Sequence, residues 1–412
     1  MMHVREQRHN EASLVREHPL AQNAAMKTRS ARLEDLVQSD IRRMTRECDR
    51  VGGINLGQGV CDLPTPAPVR KAAIAAIESR KSLYSYPEGI PELRAAIADK
   101  LAQKNGITAD PAEEIAVTVG ATGAFAAVLH GLLDPGDGML VFEPYYGYHL
   151  NAAILAGLEP HFCPLAPPDF AITETALRAA IKPNTRAIVV CTPSNPSGKM
   201  WTQAELERLA RIADEHDLLV ITDEIYEDIT YDDRTHISPA TVGGLEDRCV
   251  TIMGLSKTFS ITGWRLGYAV ARPELLAPIT LACDLLTVCA PTPLQHGVAA
   301  GFGLPESFYD ELKSDYARKR SVLCDALDSA GMQPIRPQGA YYVLADVGHW
   351  GFATAREAAL HLLENTGVAA VPGSAFYRGA EGERLLRFCY ASELERIQAA
   401  AERIVAFEGP SR

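Results

Sequence analysis

Hydrophobic and polar positions alternate in a distinctive way between about residue 115 and residue 270. Short runs rich in β-branched residues recur there: EIAVTVG, DGMLVFEP, RAIVVCTP, LLVITDE, CVTIMGL and RLGYAVA. Segments with helical spacing, such as TQAELERLARIADEHD, lie between most of them. Buried strands that alternate with amphipathic helices predict an α/β fold, with a mostly parallel sheet sandwiched by helices.

The two ends of the chain carry different patterns. SARLEDLVQSDIRRM, from Ser30, predicts a helix, and INLGQGVCDLPTPAP predicts a loop. PVRKAAIAAIESRK and GIPELRAAIADKLAQKNG predict two helices, the second of them closed by Gly106. Beyond residue 300, long charged helices and the short strands GAYYVLADV and ERLLRFCYA predict a smaller α+β domain.

These patterns divide the chain into four parts. Residues 1–30 are expected to be a mobile extension, and residues 31–69 a segment that packs with the small domain. Residues 70–299 form the predicted large domain, and residues 300–412 the predicted small C-terminal domain. The strands of the large domain should carry the ligand site at their carboxyl ends, as in other open α/β sheets.

Composition and charge narrow the class of protein. A content of 47% hydrophobic and 22% charged residues is typical of a soluble globular protein, and no stretch reaches the roughly 20 apolar residues of a membrane span. The net charge of −12 disfavours nucleic acid as a partner. Nine cysteines without a CxxC pair predict free thiols, no zinc site and a cytoplasmic location.

Polar and aromatic side chains follow the predicted strands, where one pocket should gather them. Each has an ordinary structural explanation when taken alone, such as a helix cap, a turn or a solvated cation. Together they offer a helix N-terminus for an anion, aromatic rings, an amide, a carboxylate, a phenol, an amine and a guanidinium. The residues are Ala121, Thr122, Tyr145, Tyr146, Asn195, Asp223, Tyr226, Lys257 and Arg265.

Pyridoxal phosphate requires this combination. Its phosphate needs N–H donors and an arginine, its ring nitrogen a carboxylate, its phenolic oxygen hydrogen-bond donors, and its aldehyde a lysine. Lys257, which directly follows the VTIMGLS run, is therefore the predicted Schiff-base residue.

The sequence resembles the fold type I, class I/II pyridoxal-phosphate aminotransferases from about residue 31 to the C-terminus. The motif GLSKTFSITGWRLG matches the lysine motif of that family. YSYPEGIPELRAAIA, SNPSG, DEIY, PQGAYYVLADV, VPGSAF and RFCYA follow in the family's order. The resemblance implies a seven-stranded type of sheet with a small α+β domain, and it is nearest to the kynurenine, glutamine and aspartate aminotransferase-like branch.

Roles for four residues are implied by the resemblance. Lys257 forms the internal aldimine and later moves a proton, so it is the catalytic residue. Asp223 pairs with the protonated pyridine nitrogen. Asn195 and Tyr226 donate to the phenolic oxygen of the cofactor and lower the pKa of the aldimine.

The resemblance also implies which residues contact the phosphate and the face of the cofactor ring. Arg265 binds the phosphate together with Ala121 and Thr122, while a tyrosine stacks on the ring. Counting from Pro144 favours Tyr146 for this role, and counting back from Tyr148 favours Tyr145, so both stay candidates.

One position departs from the family pattern. Gly254 stands three residues before Lys257, where many relatives have a serine that contacts the phosphate. Ser256 is an alternative donor for that contact.

The substrate and a second subunit are also implied. Arg387 of RFCYA matches the residue that binds the α-carboxylate of the substrate, aided by Asn195 and the backbone around Gly57. Tyr84 matches a residue that reaches the phosphate of the neighbouring subunit, which implies a homodimer with shared active sites.

The expected function is transfer of an amino group from an L-amino acid to a 2-oxo acid by a ping-pong mechanism. Another pyridoxal-phosphate enzyme on the same scaffold, namely a β-lyase, cyclising synthase, racemase or oxidase, is the alternative. A DNA-binding regulator is disfavoured because only about 30 residues precede the resemblance. A dinucleotide-binding dehydrogenase is disfavoured because no GxGxxG opens a helix after a strand.

Overall fold

The structure is a computed structural model that describes residues 30–33, 40–59, 61 and 63–410. Residues Ala31–Leu33 form a short 3₁₀ helix, and the first α-helix begins at Asp40. The helix predicted from Ser30 is thus described only in part, since residues 34–39 lie outside the described residues. The extension predicted for residues 1–30 also lies outside them, except for Ser30.

Helices and strands alternate through most of the described chain. The α-helices are α1 Asp40–Val51, α2 Ala67–Glu78, α3 Pro91–Lys100, α4 Gly120–Leu132, α5 Gly147–Ala156, α6 Glu174–Ala180, α7 Gln203–Glu215, α8 Pro273–Thr287, α9 Thr292–Gly301, α10 Glu306–Ser329, α11 Ala355–Thr366 and α12 Leu394–Val405. The strands are β1 Ile54–Asn55, β2 Ile115–Val119, β3 Gly138–Glu143, β4 Glu159–Pro164, β5 Thr185–Cys191, β6 Leu219–Asp223, β7 Cys249–Gly254, β8 Leu266–Val270, β9 Pro334–Ile335, β10 Tyr342–Asp346, β11 Val368–Ala369, β12 Val371–Pro372 and β13 Leu385–Cys389.

A seven-stranded sheet in the order β2-β8-β7-β6-β5-β3-β4 forms the centre of the described residues. All its strand pairs are parallel except those of β8, which runs antiparallel to β2 and β7. The six predicted strands are present, so the predicted α/β fold is confirmed. Strand β4 was missed, because its sequence EPHFCP carries two prolines and alternating polar residues, which an edge strand tolerates.

Helices cover both faces of this sheet. Along β3, Leu140 packs in the cluster that contains residues of α7, whereas Met139 and Val141 pack in the cluster that contains residues of α4 and α8. Alternate residues of a strand point to opposite faces, so both faces of the sheet are buried. This burial explains why the strands read as continuous apolar runs.

The C-terminal part has its own sheet, and the segment that precedes α2 packs against this part. Strands β12, β13, β10 and β9 form a four-stranded antiparallel sheet. Strand β1 pairs in parallel with β11, with Ile54 opposite Val368. Met44 and Cys48 of α1 share a core with Leu323 of α10. The limits of the predicted domains stay a prediction.

Two predicted details of the helices are confirmed. Helix α3 continues through a π-helical turn at Leu101–Asn105 and ends at Gly106, whose φ of 69° is left-handed. The long charged helix predicted beyond residue 300 is α10. Among the described residues, none of the helices combines the length and the apolar character that a bilayer crossing needs.

Candidate active site

A cavity lies beside the end of β6 and the starts of α4 and α5, with Ile252 of β7 in its wall. Parallel strands deliver their following residues to the same edge of a sheet, which is why distant sequence positions meet here. The lining residues are Ala121, Thr122, Phe125, Tyr146, Tyr148, His149, Ala152, Asp223, Ile225 and Ile252.

The N-terminus of α4 and the side chain of Arg265 form one end of the site. Gly120 begins α4 with a φ of +69°, and a Cβ atom on it would lie 2.8 Å from Arg265 Nη2. The guanidinium is oriented by Nη1, which donates to the carbonyl of Thr262 at 2.9 Å. The first N–H groups of a helix, here those of Ala121 and Thr122, have no partner within the helix. A guanidinium beside such N–H groups forms an anion site suited to a phosphate.

Asp223 ends β6 and its carboxylate is buried. His149 Nε2 lies 2.8 Å from Asp223 Oδ2, so the imidazole N–H donates to the carboxylate. The ring of Tyr146 packs edge-on against His149, with the ring centroids 5.2 Å apart. Sequence reasoning missed His149, because the string YGYHLNA does not show which strand end α5 faces.

Lys257 follows β7 at the same edge of the sheet. Its Nζ donates to the carbonyl of Gly59 at 3.3 Å and lies 5.4 Å from the ring centroid of Tyr341. Burial lowers the pKa of Lys257, against opposing effects of Cys61 and Cys389. A lowered pKa raises the fraction of neutral amine, which is the nucleophilic form.

A pair of buried phenols lies beside this lysine. The hydroxyl oxygens of Tyr226 and Tyr342 are 3.1 Å apart, and Lys257 Nζ lies 6.0 Å from the ring centroid of Tyr226. Burial raises the pKa of Tyr226 well above its usual range. The phenol therefore keeps its proton at neutral pH and can act as a donor. The motif GAYYVLADV alone does not distinguish Tyr342 from its neighbours, because its partner Tyr226 lies 116 positions away.

Arg387 on β13 lies within the protein, with 1% of its surface exposed. Nη1 donates to Asn195 Oδ1 at 3.0 Å, and Nη2 donates to the carbonyl of Gly57 at 2.6 Å. The rings of Tyr342 and Phe376 lie 4.4 and 4.7 Å from the guanidinium carbon. The three predicted substrate-binding residues are thus brought together.

The guanidinium of Arg387 also has spare hydrogen-bonding capacity. Its Nε has no hydrogen-bond partner among the described residues, although it is buried. A buried cation with an unused donor is suited to a carboxylate ligand, because a charge so placed is costly without a partner.

The structure distinguishes the two candidate tyrosines. Tyr146 lines the cavity beside Asp223 and stacks on Tyr148. Tyr145 instead packs against Phe162 in the core on the α4 face, and its N–H donates to the carbonyl of Phe376. This geometry favours Tyr146 for contact with a ring in the cavity.

Two further predicted residues lie at the margin of the site or outside it. The hydroxyl of Ser256 lies 3.8 Å from the point where a Cβ on Gly254 would stand, so it is near the side-chain position that Gly254 leaves empty. Tyr84 is 84% exposed and does not line the cavity of its own chain.

The donor set fits pyridoxal phosphate. A phosphate would fit between Arg265 and the backbone of Gly120 at the start of α4, where a Cβ atom would press on the guanidinium. The buried carboxylate of Asp223 suits a protonated ring nitrogen, and the amine of Lys257 suits an aldehyde. The fold and this set of side chains define a transferase of fold type I.

Comparison with known proteins identifies the family. The sequence model of the family "Aminotransferase class I and II" matches residues 51–404. The chain belongs to this family and is an aminotransferase, which confirms the resemblance and the enzyme class predicted from its motifs.

Relatives that match over most of their length carry several different aminotransferase names. The chain is 35% identical to an aspartate aminotransferase of Pyrococcus abyssi, over 91% of this chain and 97% of that protein. It is 33% identical to aromatic-amino-acid aminotransferase 2 of Thermococcus litoralis, with the same coverage of 91% and 97%. The solved structure of N-succinyldiaminopimelate aminotransferase from Mycobacterium tuberculosis superimposes with a TM-score of 0.88 at 33% identity, over 92% of this chain and 99% of that one.

Proposed function

We propose that the protein is a pyridoxal-phosphate-dependent aminotransferase that moves the amino group of an L-amino acid to a 2-oxo acid in two half-reactions. The observation that carries the proposal is the placement of two cations, the half-buried Lys257 and the buried Arg387, around one pair of phenols. Lys257 Nζ faces the ring of Tyr226 at 6.0 Å, and the guanidinium of Arg387 covers the ring of Tyr342 at 4.4 Å. One cation suits imine chemistry, and the other suits a substrate carboxylate.

The chain's own residues would hold the cofactor by three groups of contacts. Arg265 and the N–H groups of Ala121 and Thr122 would bind the phosphate, with Ser256 as a further donor. Tyr146 would lie on the ring. Tyr84 of a second subunit would add a contact to the phosphate.

The reacting end is served by other residues. When bound, pyridoxal phosphate supplies an aldehyde that reacts with amines and a ring that accepts electrons. Asp223, oriented by His149 at 2.8 Å, would hold a proton on the ring nitrogen. Asn195 and Tyr226 would donate to the phenolic oxygen. Lys257 Nζ would remove the proton from the substrate's α-carbon, for which its lowered pKa prepares it.

Arg387 would orient the substrate. Nη1 and Nη2 each use one N–H on Asn195 and Gly57, so a second N–H of an Nη group and the N–H of Nε are left for an incoming carboxylate. A two-pronged contact to the α-carboxylate fixes the direction of the α-hydrogen toward Lys257. An L-amino acid of any side chain provides this carboxylate, so Arg387 selects for amino acids as a class.

A homodimer is proposed from the surface of the chain. Large apolar side chains are exposed on the segment before α3 and at the end of α8, which is unusual for a monomer. They are Leu83, Tyr84, Tyr86, Leu281, Leu285 and Leu286.

A cytoplasmic location is supported by the nine cysteines, all of which are free.

A donor screen tests the proposed function. The enzyme loaded with pyridoxal phosphate is mixed with each L-amino acid and with 2-oxoglutarate or pyruvate, and glutamate or alanine is quantified. We expect at least one donor to form glutamate or alanine, and we expect Lys257→Ala to bind the cofactor without turnover. Lys182→Ala, which removes an exposed lysine, should keep full activity. Release of ammonia or peroxide without glutamate or alanine would contradict the proposal, as would an active Lys257→Ala variant.

A further inference from the structure

The contact between Tyr226 and Tyr342 joins the two parts of the fold next to the candidate site. Tyr226 follows β6 of the large sheet, and Tyr342 begins β10 of the C-terminal sheet. Their hydroxyl oxygens are 3.1 Å apart, and both side chains are buried. Either hydroxyl could donate in this contact.

The number of available protons decides which of the two hydroxyls donates in this contact once Tyr226 donates to a ligand. A phenol carries one O–H proton and so makes one donated hydrogen bond. The proposed function gives the proton of Tyr226 to the phenolic oxygen of the cofactor. The 3.1 Å contact then needs Tyr342 as the donor. Burial raises the pKa of Tyr342 to about 12, against an opposing effect of Arg387, so the proton is present at neutral pH.

The side chain of Tyr342 is held in place by two contacts. The guanidinium of Arg387 lies 4.4 Å from its ring centroid. The backbone of Gly59 approaches its hydroxyl so closely that a Cβ atom on Gly59 would lie 2.0 Å from the hydroxyl oxygen. A hydroxyl confined in this way has little freedom to leave Tyr226.

We propose that Tyr342 is a positioning residue that donates its proton to the hydroxyl oxygen of Tyr226 and thereby strengthens Tyr226 as a donor to the cofactor. This inference rests on the proposed function of Tyr226. Consecutive hydrogen bonds polarise one another, so a phenol that accepts one hydrogen bond donates another more strongly. A stronger donor at the phenolic oxygen favours the deprotonated form of the lysine-bound cofactor and lowers its pKa.

The test is a pH titration of the visible absorbance of the pyridoxal-phosphate-loaded enzyme. Tyr342→Phe keeps the ring and removes the proton, and we expect the pH midpoint to rise by roughly half a unit to one unit, as expected for one hydrogen bond. Tyr226→Phe should raise the midpoint at least as much, and adding Tyr342→Phe to it should change nothing further. Tyr390→Phe is the matched control, since its buried hydroxyl donates to the carbonyl of Ala340 and not to Tyr226.

A second variant keeps the test decisive if Tyr342→Phe does not fold. Placing 3-fluorotyrosine at position 342 preserves the shape and makes the phenol a stronger donor, so the midpoint should fall. A shift with Tyr226→Phe but none with either change at Tyr342 would overturn this inference alone. A midpoint unchanged by Tyr226→Phe would instead overturn the proposed role of Tyr226.

Discussion

At the scale of single residues, Lys100 shows how this chain stabilises a charge inside the protein away from the candidate site. Its ammonium group donates to Glu227 Oε1 and to the hydroxyl of Tyr268. Asn105 Nδ2 donates to the second oxygen of Glu227 at 2.6 Å. Burial is the largest single effect on the pKa of Lys100 and lowers it, but Glu227, Tyr268 and Asp228 together outweigh burial, and the pKa is raised. The ion pair is therefore retained in spite of its burial.

Lys100→Met should lower the free energy of unfolding by about 3–5 kcal/mol, because it leaves the carboxylate of Glu227 buried without a cation. Urea unfolding followed by circular dichroism measures this. Adding Glu227→Gln should recover most of the loss. Arg336→Met, which breaks an exposed pair with Asp325, should change stability by less than about 1 kcal/mol. An equal loss in both single variants would contradict the interpretation.

How far single residues could be predicted depends on where their partners lie. Asp223 ends the buried strand β6 and Lys257 lies three residues after the buried strand β7, so their chemistry is visible along the chain. His149 and Tyr342 were missed because each acts through a contact with a residue at least 74 positions away. The sequence shows such a residue but not the partner that gives it a role.

At the scale of elements, the start of α4 depends on a residue without a side chain. Gly120 combines a left-handed φ of +69° with a close approach to Arg265. A Cβ atom there would be strained and would also displace the guanidinium from the helix N-terminus. Gly120 therefore determines both the backbone conformation at the start of α4 and the position of Arg265 in the candidate phosphate site.

Gly120→Ala should weaken the binding of pyridoxal phosphate to the apo protein about tenfold, since a shifted Arg265 loses part of its contact with the phosphate. Absorbance titration of the apo protein with cofactor gives the Kd. Gly331→Ala is the control, because Gly331 also has a positive φ of +73° but nothing within 4 Å of its Cβ position. It should reduce stability and leave the Kd unchanged. Equal Kd values for the two variants would refute the proposed role of Gly120 in keeping Arg265 in place for the phosphate.

At this scale, strands could be predicted from the sequence where both of their faces are buried. The six predicted runs are continuous and largely apolar, including β2 at one edge of the sheet, whereas β4 at the other edge is not. The pairing of β1 with β11 could not be predicted, because two-residue strands carry no periodicity of their own. Only tertiary contacts define such strands.

At the scale of the whole molecule, the candidate site is incomplete within one chain if Tyr84 serves a neighbouring subunit. Tyr84 is 84% exposed, and Leu83 beside it is 81% exposed. Leu285 on α8 is 79% exposed. Burying such side chains against a second copy would supply a substantial part of the association energy.

Co-expression of Tyr84→Ala and Lys257→Ala chains tests this arrangement. Each variant alone should be nearly inactive in the donor screen. In a mixed dimer one site would combine an intact Lys257 with an intact Tyr84 from the other chain, so random pairing should restore about a quarter of the wild-type activity. Co-expression of Lys257→Ala with Asp223→Ala chains is the control and should restore nothing, because both residues lie in the same chain's site. No recovery in the first mixture would rule out the shared site.

The pairing of β1 with the C-terminal part has a consequence for synthesis of the protein. The N–H of Ile54 donates to the carbonyl of Gly367, and the N–H of Cys389 donates to the carbonyl of Leu56. Gly57 and Gly59 therefore reach their final positions only after the ribosome has made the chain beyond residue 389. Until then β1 has no strand to join, so a nascent chain released early would lack the contact between Gly57 and Arg387 in the candidate site.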